Sequence, residues 1–194
     1  MKVGIIGAMK CETEALVGML ENGSSERISG VEYFIGSLKG HEVVIATCGI
    51  GKVFAAICTQ TMILRYSPDI IINTGVAGTL TDRLSVCDIA VSSDVVQHDM
   101  DTSAIGDPVG LISGINIIKI PSDKALTAKV ISCAEELGLH AESGTVASGD
   151  IFVAEEGRKR YIKEKFEAIA CEMEGAGIGH VCYVNSLPFV VIRA

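Results

Sequence analysis

The sequence predicts an α/β fold: a three-layer sandwich in which helices cover both faces of a central mixed, mostly parallel sheet. Three observations carry this reading. Apolar runs of strand length recur along all 194 residues, and they are near-continuous rather than alternating, as strands buried on both faces require. Segments with helical spacing of apolar residues separate many of these runs. No linker, repeat or low-complexity stretch interrupts the succession, so the chain reads as one domain over residues 1–194.

The elements follow in order. "KVGIIGA" (Lys2–Ala8) reads as a buried first strand, and "CETEALVGMLEN" (Cys11–Asn22) as a helix with Ala15, Leu16, Met19 and Leu20 on one stripe. "VEYFIGSL" and "HEVVIATCGI" flank Lys39-Gly40, a hairpin signal. Lys52–Tyr66 is an amphipathic helix, stopped at Ser67-Pro68 because a residue before proline avoids the α region. "DIIINTGVAG" (Asp69–Gly78) is a buried strand running into a glycine-rich turn, and "DIAVSSDVVQHDMD" is a long strand from Asp88. Residues 99–120 have little periodicity and read as a loop, followed by a helix over Ser122–Leu137 with Gly138 as its stop. Then come the strand "AESGTVASGD", a helix near Glu155–Phe166, the short strand "AIACEM", a helix through Val184 and the strand "PFVVIRA". That strand has no covering helix behind it, so we expect a chain shortened at its C-terminus, with the final helix of the fold absent.

Composition narrows the function. With 48% hydrophobic residues, 21% charged and four prolines, the chain is of the ordered globular kind. Its net charge is −8, and its one short basic run, "GRKR" at Gly157–Arg160, fits a solvated helix face. Neither nucleic acid nor an anionic membrane is therefore expected as a partner. Seven cysteines stand singly with no CxxC pair, which points to reduced core thiols and a cytoplasmic protein. The apolar N-terminal stretch is too short for a secretion signal, and no run approaches the roughly 18 apolar residues of a membrane span.

In an α/β sheet, ligands sit at the carboxyl ends of the strands. Those ends carry "GAMKCE", "CGIGK", "NTGVAG", "SGDIFV", "CEMEG" and "IRA", all predicted to lie at one sheet edge. Glu172 and Glu174 flank Met173 in a run of small apolar residues. A buried carboxylate without a partner is costly, so these either pair within the protein or await a ligand. Glu12 opens a helix, where the dipole favours its ionised form. "GIIGAM" lacks dinucleotide-fingerprint spacing, and "NTGVAG" lacks the Lys and Ser/Thr of a P-loop. "HDMD" (His98–Asp101) offers metal-capable side chains but no second cluster at ligand spacing. His41, His140 and His180 stand alone.

Taken together, "GIIGAM" with Glu12, "CGIGK", "IINTGVAG", "SGDIF", "EMEGAGIGHVC" and "PFVVIRA" resemble the 5′-methylthioadenosine/S-adenosylhomocysteine nucleosidases of the purine nucleoside phosphorylase superfamily. The similarity runs from Met1 to Ala194. It implies hydrolysis of an adenine N-glycosidic bond, with no cofactor and no metal, by a homodimer whose partner lies near the His98–Gly106 loop and the Lys52–Tyr66 helix. By this resemblance Glu12 is the general base on the attacking water, Glu174 accepts from the ribose hydroxyls, and Arg193 helps fix Glu12 or the water. Phe152 stacks on adenine and the Val153 backbone reads its edge. Met9, Ile50 and Met173 line the sugar and thioalkyl surface, and Glu172 supports the site, holding Arg193.

Two departures from the family pattern stand out. Val76 occupies the place of a serine near the ribose and water, and the aspartate expected to protonate adenine would follow Ala194. Three other readings use the same residues: a phosphorylase, a hydrolase of a futalosine-type nucleoside, and a catalytically dead nucleoside-binding protein. The first is disfavoured by Glu12, which would repel phosphate.

Overall fold

The computed structural model describes residues 1–194. In chain order it contains β1 (Lys2–Gly7), α1 (Lys10–Gly18), β2 (Glu21–Ile28), β3 (Val31–Leu38), β4 (His41–Thr47), α2 (Lys52–Tyr66), β5 (Ile70–Gly75) and β6 (Gly78–Thr79). These are followed by β7 (Ile89–Gln97), β8 (Lys119–Pro121), α3 (Lys124–Glu136), β9 (Ala141–Ser148), α4 (Glu156–Phe166), β10 (Ala168–Glu172), α5 (Gly175–Val184) and β11 (Phe189–Arg193). A single 3₁₀ turn, Ser103–Ile105, lies between β7 and β8.

Adjacent strand residues face opposite sides, and that alternation builds the layers. Ile6, Ile71, Val95, Val146 and Val191 point to one side, where they pack with Ala55, Cys58 and Met62 of α2 and Ile178 and Cys182 of α5. Their neighbours point the other way. Ile5 and Ile45 meet Leu16 of α1, while Val96 and Ala147 meet Ile162 and Phe166 of α4. The molecule is thus an α/β sandwich with helices on both faces of a mixed sheet.

The sheet runs β2-β3-β4-β1-β5-β11-β7-β9-β10-β6, with β8 added to β7. Parallel pairings join β4–β1–β5–β11 and also β7–β9–β10. These two blocks run in opposite directions and meet at β11 and β7 through two residue pairs, Ile192↔Val91 and Arg193↔Ala90. Beyond them the Val191 N–H donates to the Ser92 hydroxyl at 2.8 Å, so a side chain takes over from the ladder. The chain leaving β5 continues through Val76 and Ala77 into β6, which pairs antiparallel with β10 through Gly78↔Cys171 and Thr79↔Ala170. The second half of the sheet therefore closes on itself as a distorted barrel of β5/β6, β11, β7, β9 and β10.

This closure corrects the simple picture of one shared edge. β9 and β10 run against β1, β5 and β11, yet the carboxyl end of β10 reaches those of β5 and β11 because it pairs with the extension of β5. Two element boundaries also differ. The first helix ends at Gly18 instead of Asn22, and Glu21–Ile28 forms a strand. That strand is almost wholly exposed and pairs only with β3, so it carries no apolar alternation to read. The predicted loop 99–120 contains the 3₁₀ turn, an isolated bridge Ile112↔Ile117 and the start of β8. The hairpin turn is as its sequence demands: Lys39 and Gly40 are both left-handed, with φ of 51° and 80°.

Candidate active site

A cleft of about 380 Å³ opens where the barrel closes, lined by Ala8, Met9, Glu12, Ile50, Val76–Gly78, Ile151–Val153 and Cys171–Glu174. Its walls are mostly apolar and its polar groups few and convergent, the usual make-up of a small-molecule site.

Glu12 sits in the first turn of α1, immediately after β1. One carboxylate oxygen accepts from the N–H groups of Ala8 and Met9 at 2.7 and 2.9 Å, and the other accepts from Val76 N–H at 3.1 Å. These three donors come from the β1–α1 and β5–β6 turns, so Glu12 ties the two together and is itself fixed in direction. Gly75 cannot carry a side chain here: a Cβ would overlap Arg193 Nη1 and lie 2.6 Å from Glu12 Oε1.

Arg193, at the end of β11, is 1% exposed. Its Nη2 donates to Glu172 and to Asn73 Oδ1, the latter at 2.6 Å, and lies 3.7 Å from Glu174 Oε2. Its hydrogen bonds thus go to Glu172 and Asn73, not to Glu12; the guanidinium approaches Glu12 only across the space left by Gly75. Arg193 Nη1 and Nε are buried without a partner. Glu172 in turn accepts from Ser148 Oγ and from the N–H groups of Glu174 and Gly175, at 2.9 and 2.8 Å. Ser148 also accepts from Ala176 N–H at 2.6 Å. Glu172 is therefore saturated by internal donors, and these fix the start of α5.

Glu174 is the N-cap of α5 and is 5% exposed. Its Oε1 accepts from Gly51 N–H at 2.9 Å, just before α2. Burial, and then the negative charge of Glu172, push its pKa up to about 7, against the pull of Gly51 N–H and Arg193. A carboxylate in such surroundings is poised for a ligand that offers hydrogen-bond donors.

The remaining predicted residues form the walls. Phe152 is 84% exposed and stands at the cleft mouth, where Val76 and Ile50 are also more than half exposed. Met9, Met173 and Val153 are half-buried in the same lining. The Val76 side chain faces the cleft while its N–H holds Glu12. The HDMD run is divided among other tasks. His98 is buried, Asp99 pairs with Lys52 at 2.5 Å, and Asp101 accepts from Ser103 N–H.

Sequence reasoning missed Asn73 and Ser148, which anchor Arg193 and Glu172 from strands remote in sequence. It also missed Gly51, whose N–H holds Glu174, although "CGIGK" drew attention to that turn.

Residues 2–194 match the family model described as Phosphorylase superfamily. A relative from Shewanella halifaxensis named 5′-methylthioadenosine/S-adenosylhomocysteine nucleosidase is 43% identical, over 100% of this chain and 85% of its own. The crystal structure of the nucleosidase of that name from Neisseria meningitidis, in complex with methylthio-immucillin-A, superposes with a TM-score of 0.96 at 36% identity. It covers 100% of this chain and 84% of that one. A futalosine hydrolase mutant from Helicobacter pylori superposes with a TM-score of 0.94 at 34% identity, covering 100% of this chain and 88% of that one.

Proposed function

The chain belongs to the phosphorylase superfamily, and from that premise we propose that it is a nucleosidase. It hydrolyses the N-glycosidic bond of 5′-methylthioadenosine and S-adenosylhomocysteine, releasing adenine and the thioribose. The observation that carries this reading is Glu12, a cleft-lining carboxylate aimed by three backbone donors from two turns. An anion fixed there suits a neutral water nucleophile and opposes phosphate, which separates a hydrolase from a phosphorylase.

The chemistry follows from the placement of the groups. As the C1′–N9 bond breaks, its electron pair leaves with the purine and positive charge grows at C1′. Water attacks C1′ and gives its proton to Glu12. Glu174 accepts from the ribose hydroxyls, a charge-assisted contact that also stabilises the charge at C1′. Arg193 does not itself line the cleft; bonded to Glu172 and Asn73 and 3.7 Å from Glu174 Oε2, it supports the two glutamates from behind. Phe152 stacks on adenine, with Val153 at the edge of the ring; Met9, Ile50 and Met173 enclose the sugar and thioalkyl group. Asp150 does not line the cleft, and its Oδ1 accepts from Lys52 N–H at 2.7 Å, so the departing adenine takes its proton from solvent water.

The exposed apolar residues Val53, Phe54 and Ile57 on α2 support assembly as a homodimer, and the free thiols suit the reducing cytoplasm. No helix is long and apolar enough to cross a membrane.

The direct test is product analysis with methylthioadenosine, adenosylhomocysteine and a futalosine-type nucleoside, each with and without phosphate. The expected result is free adenine and thioribose from the first two at a rate that ignores phosphate. A sugar 1-phosphate product would overturn the hydrolase reading, and faster turnover of the futalosine-type nucleoside would overturn the substrate assignment.

A further inference from the structure

Two successive peptide groups at the start of α2 hold two different carboxylates. Gly51 N–H donates to Glu174 Oε1 at 2.9 Å, and Lys52 N–H donates to Asp150 Oδ1 at 2.7 Å. Glu174 lines the cleft. Asp150 does not; it precedes Ile151, Phe152 and Val153, which do. One helix start is thus bonded both to Glu174 and to the residue that leads into this wall.

The Asp150 attachment is closed into a circuit. The Asp150 N–H donates to Asp99 Oδ2 at 2.8 Å, and Asp99 Oδ1 accepts from Lys52 Nζ at 2.5 Å. The same ammonium donates to Gln97 Oε1 at 3.1 Å. Lys52 therefore grips the loop twice, through its own peptide N–H to the Asp150 carboxylate and through its side chain and Asp99 to the Asp150 peptide. The Lys52 and Asp99 side chains are each only 17% exposed, which sets this pair apart from a freely solvated ion pair. Water competes poorly for it, although Asp150 itself is on the surface. The turn is built for this contact. Gly51 has φ of +99°, and a Cβ there would come within 2.9 Å of Asp150 Oδ1.

Phe152 needs such an anchor. It is the one aromatic residue lining the cleft and, at 84% exposed, has little packing of its own to hold it. We propose that Asp150 is a positioning residue for base recognition: seated on the α2 N-terminus and locked by Asp99 and Lys52, it sets the stacking wall Ile151–Val153 at a fixed separation from Glu174. This rests on the nucleosidase reading for what the wall recognises, but the circuit itself is independent of it. Because the wall contacts the base in ground state and transition state alike, its loss weakens binding more than chemistry.

Asp150→Ala and Asp150→Asn separate this role from general stability, since asparagine keeps an oxygen acceptor for Lys52 N–H. For Asp150→Ala we expect KM for methylthioadenosine to rise about tenfold, the scale of one lost hydrogen bond to a charged group, with kcat within about threefold. Hydrogen exchange of the residue-150 amide, which donates to Asp99 Oδ2 in the parent, should quicken while that of β9 and β10 is unchanged. Asp150→Asn should restore KM and loop exchange to within about twofold of the parent, as expected for retention of a hydrogen-bond acceptor. Asp99→Ala, a second route to the same loop, should act in the same direction. Parental KM and loop exchange in Asp150→Ala, or an asparagine variant as impaired as alanine, would overturn the proposal. Should the parent release no adenine from any nucleoside, the nucleosidase reading fails on its own, and loop exchange still decides the role of Asp150.

Discussion

Glu12 and Glu174 are carboxylates of the same cleft whose surroundings give them different work. Glu12 is oriented by backbone donors on both oxygens, an arrangement for holding a base in one direction. Glu12→Gln keeps its size and one acceptor, so a substrate analogue should bind within a few-fold of the parent. Loss of the base should lower kcat by about 10²–10⁴-fold, measured as adenine release. Glu174 is different, because burial and Glu172 push its pKa up to about 7. The folded protein therefore keeps a proton that the unfolded chain gives up above about pH 4.3. This group's contribution to stability is complete at low pH and is lost as pH rises through about 7. Melting temperature measured from pH 5 to 8 should fall more steeply for the parent than for Glu174→Gln, and a nucleoside analogue with both ribose hydroxyls should offset the fall. These two glutamates, with Phe152 and Met173, were legible in the sequence because each stands in a short motif. Asn73 and Ser148 stand in motifs too, "NTGVAG" and "SGDIF", but their task was not legible: their partners Arg193 and Glu172 are 120 and 24 residues away, a relation no local pattern encodes.

The elements that present these residues are held by small-residue contacts. α5 crosses α2 at Gly177, where a Cβ would stand 3.1 Å from the Lys52 carbonyl oxygen and 3.2 Å from its Cα. The glycines after Glu174 thus allow α5 to press against the turn that supplies Gly51 N–H. Gly177→Val should cost about 1–3 kcal/mol in chemical denaturation, the scale of overpacking in a tight interior. It should also raise KM, since pushing α2 away lengthens the Gly51–Glu174 contact. The long helix α2 and the buried strands were readable because periodicity and Ser67-Pro68 mark them from within. The polar edge strand β2 and the two-residue β6 were not, because pairing rather than composition makes them strands. β6 matters most, since its pairing with β10 closes the barrel and brings the cleft together.

At the scale of the whole molecule, the exposed stripe of Val53, Phe54 and Ile57 continues to Ile50 at the cleft mouth. Self-association through this face would cover it. We expect the parent to sediment as a dimer and Phe54→Glu combined with Ile57→Glu as a monomer; a parental monomer at micromolar concentration would refute the assembly. The path of the sheet has another outcome, in the order of folding. β11 comes last of all the strands in sequence, yet it stands between β5 and β7. On the ribosome, β1 to β5 can pair as they emerge, but β7, β9 and β10 are joined to that block only through the two-residue β6–β10 ladder until Phe189–Arg193 has been made. Closing so long a loop is slow. Pulsed hydrogen exchange during refolding should protect Val44 and Ile45 before Val146 and Ala147, with Val190 and Val191 among the last. Until then Asn73 and Glu172 lack the Arg193 that ties them together behind the cleft, and ligand cannot speed the early steps; it can only trap the finished fold.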